Sequence, residues 1–310
     1  MFYSAIDEGL PIILCDFNYP SLSQIGAYAH SLDYDIQIFA PGFSESEVCN
    51  PLDFLRDSAD AQTARQLATV INKNFHILNN SNEDGFFGPS GDQLTQAVLM
   101  LTKEFGEYAD IMTSTTLIKS KQIVSRLIAS NLNPWIRIAF SQLFSSASSE
   151  KTVAGILTST LSIFTSLVRQ DTLGYFLGKT TLPLKIRGKQ MIVLGLDSNR
   201  YTSLAPLMFG ILQMLITSYV SKQSLDSPVV VLGDFSFAYV PALLTSSRCI
   251  VGCAWDFIQH IAPKLIDDCC QENWKKFVIS HAPKTPTILT TQFDLELRAS
   301  YVERRFPIQL

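Results

Sequence analysis

The sequence predicts an α/β fold on a mostly parallel sheet, interrupted by an inserted all-helical domain. Three observations carry this reading. The chain opens with a strand–helix–strand pattern over Leu10–Phe39. Between Asp57 and Gly178 the apolar spacing is helical and no convincing strand is seen. Strand signals then return at Lys189–Leu196 and again at Pro228–Phe235, separated by an apolar helix.

The elements follow in order. Leu10–Phe17 is a short apolar run of buried-strand type ending at Asp16. Ser21–Ser31 places Leu22, Ile25 and Ala29 on one helical face, and Tyr34–Phe39 alternates as a second strand. A helical connection between two strands makes them parallel. Pro41-Gly42 turns the chain through an acidic loop to Asn50-Pro51-Leu52-Asp53. Helices are predicted over Asp60–Asn74, from Phe86-Phe87-Gly88 through Leu101, and over Thr115–Leu127, Pro134–Leu143 and Val153–Val168. Lys189–Leu196 is a buried strand, Leu204–Ser221 a helix apolar nearly all round, and Val229–Phe235 a strand ending in Gly233-Asp234. Arg248–Ala254 is another strand, Phe257–Cys270 a helix and Lys276–Ser280 a short strand. Residues 1–55 and 178–310 thus form the sheet domain and 56–177 the insert.

Composition sets the class. Of 310 residues, 47% are hydrophobic and 17% charged, enough apolar mass for a large core. The net charge of −4 argues against a basic nucleic-acid binder as a whole. The residues after Met1 run straight to Asp7 and Glu8, without the pattern of a signal peptide. Thr152–Val168 and Leu204–Val220 are uncharged, but each is shorter than the about 20 residues a bilayer needs. Both are expected as buried core helices, and no transmembrane segment is expected. The six cysteines lack the spacing of a disulfide framework and suit a reducing cytoplasm.

The chemistry-bearing residues are sparse. A phosphate loop needs Gly-x-x-x-x-Gly-Lys-Ser/Thr, and only the tail of that pattern occurs, at Gly178-Lys179-Thr180, with no strand before it. Asp234 stands where nucleotide-hydrolysing folds hold Mg²⁺ with a carboxylate at a strand end. Asp16 has the same position on the first strand, where carboxylates commonly cap the following helix. Cys249, Cys253, His260, Cys269, Cys270 and His281 do not reproduce paired zinc spacings, and no metal site is expected. No Gly-x-Ser-x-Gly elbow is present. Lys119, Lys121, Arg126 and Arg137 make a basic helical stretch in the insert, a solvated face with phosphate binding as its alternative.

The order of these pieces resembles one family. Leu10–Asp16 with its helix and strand, Asn50-Pro51-Leu52-Asp53, Asp60-Ala61-Gln62, and Gly85-Phe86-Phe87 opening a helix are similar to the TraG/TraD-type coupling ATPases of conjugation and type IV secretion. So are the helical insert, Met191–Leu196, Leu204–Ser221 and Val229–Phe235, and the likeness fades after residue 282.

The resemblance implies an incomplete RecA-like, P-loop NTPase-type domain carrying an all-alpha domain. It implies a cytoplasmic subunit held at the inner membrane through partners, hexameric assembly, and partners that include DNA or a relaxase complex. ATP and Mg²⁺ would be bound between subunits if another chain completes the site. The family's anchor and P-loop strand fall before the first residue of this sequence. The family's Asp-Glu-Phe is matched by Gly233-Asp234-Phe235, so Asp234 is a degenerate catalytic residue and glycine takes the metal-ligand place. In the nucleotide or sensor region the resemblance points to Asp16 and Arg248, with Asp256 where a glutamine is expected and Gln259 nearby. Three functions are compatible: a catalytically degenerate coupling-protein-like subunit (a pseudoenzyme) assembling with an intact ATPase, a DNA translocase whose P-loop is on a separate polypeptide, and a non-enzymatic cytoplasmic scaffold.

Overall fold

The structure is a computed structural model that describes residues 2–79, 87–220, 228–233, 238–245 and 249–252. The described residues fall into two compact units. One holds Met1–Cys49 with the described part of Thr180–Pro286, and the other holds Asn50–Lys179.

Among its described residues, the first unit is built on a five-stranded, wholly parallel sheet. Its strands are β1 (Ile12–Asp16), β2 (Asp35–Phe39), β3 (Gln190–Gly195), β4 (Val229–Leu232) and β5 (Cys249–Gly252), in the spatial order β2-β3-β1-β4-β5. Every pair is parallel, with Asp16 opposite Gly195, Leu14 opposite Leu232 and Phe39 opposite Leu194. β1 lies between β3 and β4 and all five of its residues are buried, as its unbroken apolar run requires.

Helices α1 (Phe2–Asp7), α2 (Ser23–Ser31), α10 (Ser198–Tyr201), α11 (Ala205–Val220) and α12 (Pro241–Thr245) complete the unit. One sheet face, made by Ile12, Leu14, Met191, Val193, Val230 and Leu232, packs on Ile25 and Ala29 of α2. The chain moves one way across the sheet through α2 and the other way through α11. Right-handed crossovers therefore put these helices on opposite faces. α11 is buried on all sides from Ala205 to Ile216, with Leu207, Phe209, Ile211 and Leu212 inaccessible. Its Gln213 accepts the Ala242 N–H at 2.8 Å and so joins α11 to α12. Ser198–Ser218 is long and apolar enough to cross a membrane by length and composition, and its 18-residue apolar window is 78% buried inside the protein. The sequence signals did not reveal α1. Tyr34 packs under it, its hydroxyl donating to the Leu10 carbonyl at 2.8 Å.

The second unit is helical: α3 (Ala61–Leu78), α4 (Phe87–Lys103), α5 (Ile111–Lys119), α6 (Ile123–Ala129), α7 (Pro134–Ala139), α8 (Ser141–Ser145) and α9 (Glu150–Leu167). No strand occurs among its described residues. Asn50–Phe54, which the sequence reading leaves with the sheet, belongs to this unit. Asn50 donates to the carbonyls of Ala109 at 2.7 Å and Gly178 at 3.2 Å, and Lys103 donates to the Leu52 carbonyl at 2.7 Å.

Two details depart from the sequence reading. Thr115–Leu127 is two helices, because Ser120 is extended and Gln122 takes a left-handed φ of 55°. α9 is not a fully buried core helix. It buries a stripe of Ile156, Thr160, Ile163, Phe164 and Leu167 and exposes Ala154, Thr158, Ser162 and Thr165. The hydroxyls of Ser159, Ser162, Thr165 and Ser166 donate to preceding carbonyls, as Thr165 does to Leu161 at 2.8 Å, so an uncharged face can meet solvent.

Candidate functional site

In an open parallel sheet, ligands lodge at the carboxyl ends of neighbouring strands whose connections diverge. Here β1 leads away to β2 on one side and β4 leads to β5 on the other, so the crevice is between the ends of β1 and β4. Asp16 closes β1, and Gly233, buried, follows β4.

Asp16 is 2% exposed, and both of its oxygens are occupied. Oδ1 accepts the Ser21 hydroxyl at 2.8 Å and the Asn18 N–H at 3.2 Å, while Oδ2 accepts the Leu22 N–H at 2.7 Å. Burial raises its pKa above the usual carboxylate value, and these three donors counter that rise only in part. The carboxylate therefore organises the turn into α2. Asn18 donates to it, Tyr19 N–H donates to the Leu196 carbonyl, and Ser21 N–H to the Asn18 carbonyl. Leu22 N–H donates to Asp16, Ser23 N–H donates to the Pro20 carbonyl, and Pro20 has no N–H. Every backbone donor from Asn18 to Ser23 is thus used internally, whereas a phosphate cradle presents its donors outward.

The neighbouring edge is closed by the same turn. Asn18 and Asp197 form an antiparallel bridge, and the Ser198 hydroxyl donates to Asn18 Oδ1 at 2.9 Å. The Tyr19 ring lies over Gly195: a Cβ there would stand 2.6 Å from the ring and 2.8 Å from the Ala40 Cβ. Tyr19 is 5% exposed, meets Phe43 edge-to-face at 4.8 Å, and donates its hydroxyl to Glu45 at 2.8 Å. Burial and the Glu45 carboxylate push the phenol pKa upward. Gly42, at φ 96°, likewise leaves room for the Tyr201 ring. Asp197, the other carboxylate at this edge, caps α10 by accepting the N–H groups of Asn199 and Arg200. These described residues do not fit a Mg²⁺–nucleotide. The Asp16 and Asp197 carboxylates are committed to turns, the N–H groups from Asn18 to Ser23 are paired, and Gly233 carries no side-chain ligand.

Of the residues singled out by sequence, Asp16 is placed at this edge, whereas Asp234, Arg248, Asp256 and Gln259 lie outside the described residues. So do Phe257–Cys270 and Lys276–Ser280. Gly178-Lys179-Thr180 is a loop where the helical unit ends, with Gly178 at φ 74° and no strand before it. No group of three or more metal-ligating side chains occurs among the described residues.

Sequence reasoning missed a groove of about 850 Å³ in the helical unit. It is lined by α3, α4, α7 and α8 and includes Arg65, Lys73, Asp92, Gln96 and Trp135. Trp135 and Ile138, three apart on α7, are 62% and 61% exposed. The signal available was Asn133-Pro134 opening a helix of little more than one turn, too short to bury both side chains.

Against known structures, the chain aligns with the bacterial conjugative coupling protein TrwBdeltaN70, in a trigonal form in complex with sulphate, at a TM-score of 0.51 and 11% identity. The alignment covers 79% of this chain and 63% of that one. The fold is that of a conjugative coupling protein. The plasmid coupling protein TrwB in complex with ADP and Mg²⁺ aligns over 80% of this chain and 64% of its own, at 12% identity and a TM-score of 0.47. The sequence matches no known family model and no curated protein. Within the coupling-protein fold, this chain spans about 63% of the length of the first of these structures.

Proposed function

We propose that the chain is a coupling-protein-like subunit of a conjugative or type IV secretion assembly that does not hydrolyse ATP by itself and acts by associating with an intact ATPase. The coupling-protein fold supports the first half of this reading. The observation that carries the second half is the β1–α2 turn, whose backbone donors and whose carboxylate are all consumed internally. A hydrolytic site needs donors and a metal ligand aimed at the phosphates. At the end of β4, Gly233 supplies no side-chain metal ligand.

Calorimetric titration of Mg²⁺–ATP into the purified chain tests this, alone and mixed with a P-loop-bearing coupling ATPase. The expected result is no heat of binding and no phosphate release from the chain alone, with nucleotide binding in the mixture matching that of the intact partner. Steady turnover by this chain alone, abolished by Asp234→Ala, refutes it.

A further inference from the structure

Among its described residues, the helical unit offers no counter-ion to one buried guanidinium. Arg126 on α6 is 6% exposed, and its Nε and Nη1 are sealed from solvent without an acceptor. A cation removed from water at this cost is ordinarily matched by an anion or by carbonyl acceptors. Nearby in the chain, at the junction of α5 and α6, the Ser120 hydroxyl is also buried without a partner.

No internal anion is at hand in the surrounding sequence. Residues 111–149 contain Lys119, Lys121, Arg126 and Arg137 and not one Asp or Glu. Asp110, just before them, is buried and committed to the N–H of Thr113 as the cap of α5. Arg137 is exposed and lies over the Phe144 ring at 5.8 Å. Lys119 and Lys121 are exposed. A chain with net charge −4 thus places three further cations in one acid-free stretch with an unpaired buried guanidinium.

We infer that Arg126 is the buried half of an anion-binding site whose ligand is a phosphate group, with Lys119 and Lys121 supplying charge from the surface. A guanidinium fork matches phosphate and carboxylate equally in shape. The choice between them follows from charge: three cations in a stretch without a carboxylate suit a group carrying more than one negative charge. Because Nε and Nη1 are sealed, a compact oxyanion meets Arg126 at the part that keeps its 6% exposure and replaces lost water there. The site rests on the helical unit alone and stands independently of the function proposed above.

The test uses the whole chain and follows thermal unfolding and calorimetric binding with three probes: inorganic phosphate, a short single-stranded oligonucleotide and a glutamate-rich peptide. Phosphate is expected to raise the melting temperature of the wild type. Arg126→Met is expected to melt at or above the wild type without phosphate, since it removes an unpaired buried charge, and to lose phosphate affinity at least about tenfold. Arg126→Lys should recover part of the response. Lys119→Ala with Lys121→Ala, both exposed, should weaken it without changing the phosphate-free melting temperature. Tighter binding of the oligonucleotide than of phosphate, dependent on Arg126, assigns the group to a nucleic-acid backbone. Equal or weaker binding assigns it to a free phosphate. No response to phosphate in the wild type, a response that survives Arg126→Met, or a response to the acidic peptide alone overturns the proposal.

Discussion

Replacing Gly195 by alanine places a methyl group where the Tyr19 ring now lies. The added Cβ would stand 2.6 and 2.7 Å from two ring carbons and 2.8 Å from the Ala40 Cβ. Real contacts of a Cβ do not come that close, so Tyr19 must move or the end of β3 must shift. Moving the ring stretches its hydrogen bond to Glu45 and opens a contact that is 5% exposed. Overpacking of this kind costs about 1–3 kcal/mol, and the added loss at Tyr19 puts Gly195→Ala near 3 kcal/mol. Tyr19→Ala alone removes a buried ring and costs about 3–5 kcal/mol. In the Tyr19→Ala background the two ring contacts are gone and that with Ala40 stays, and Gly195→Ala should then cost about 1 kcal/mol. The coupling is about 2 kcal/mol, well above the 0.3–0.5 kcal/mol scatter of independent sites. Urea unfolding of the four proteins, followed by circular dichroism, measures it. Additivity within about 0.5 kcal/mol would show that Tyr19 does not occupy the edge of β3.

Three further outcomes follow from the same structure. Asp60 caps α3 and accepts from Thr63 and Arg56. Despite the opposing effect of burial, these donors hold its pKa below the usual value. Its contribution is therefore present above pH 3.8 and lost as pH falls through the depressed pKa. Asp60→Ala should cost about 1 kcal/mol at pH 7 and less in acid, by thermal unfolding. Asp16 has the opposite sign. Its raised pKa makes its stabilisation complete below pH 3.8 and diminishing as pH rises through the folded value. Stability measured against Asp16→Asn should accordingly shift in favour of the wild type between pH 7 and pH 4. Finally, Gly233→Asp should not confer ATP hydrolysis, since the β1–α2 turn still withholds its donors; phosphate release above background from that variant would contradict the reading.

Much of the fold could be read from the sequence because its elements announce themselves through apolar runs and spacing. Ile12–Asp16 and Val229–Leu232 are continuous apolar strands bounded by proline, and both are buried on both faces. What could not be read depends on contacts distant in sequence. α9 looks like a core helix by composition, yet which of its faces meets α4 and α5 decides its exposure. The sealing of the β1 edge needs Tyr19 and Gly195 together, and they meet only because β1 and β3 pair with Asp16 beside Gly195. The isolation of Arg126 had a visible trace, the acid-free run from 111 to 149, but its burial required the packing of α6.

A strand-end aspartate can either hold a metal or cap the turn that follows, and the residue type alone does not distinguish these. The deciding quantity is how many hydrogen-bond donors the next turn aims back at it. For Asp16 the answer is three, from Asn18, Ser21 and Leu22, at 2.7 to 3.2 Å. A cation would have to displace these donors and leave the Leu22 N–H, buried with its partner, without an acceptor, which costs about 1–3 kcal/mol. The same turn presses Tyr19 over Gly195 and binds Asn18 to Asp197, so freeing the carboxylate also means unzipping β1 from the end of β3. The β1 end is thus held shut by cooperating contacts, and an open crevice there would require the whole turn from Asp16 to Leu22 to refold.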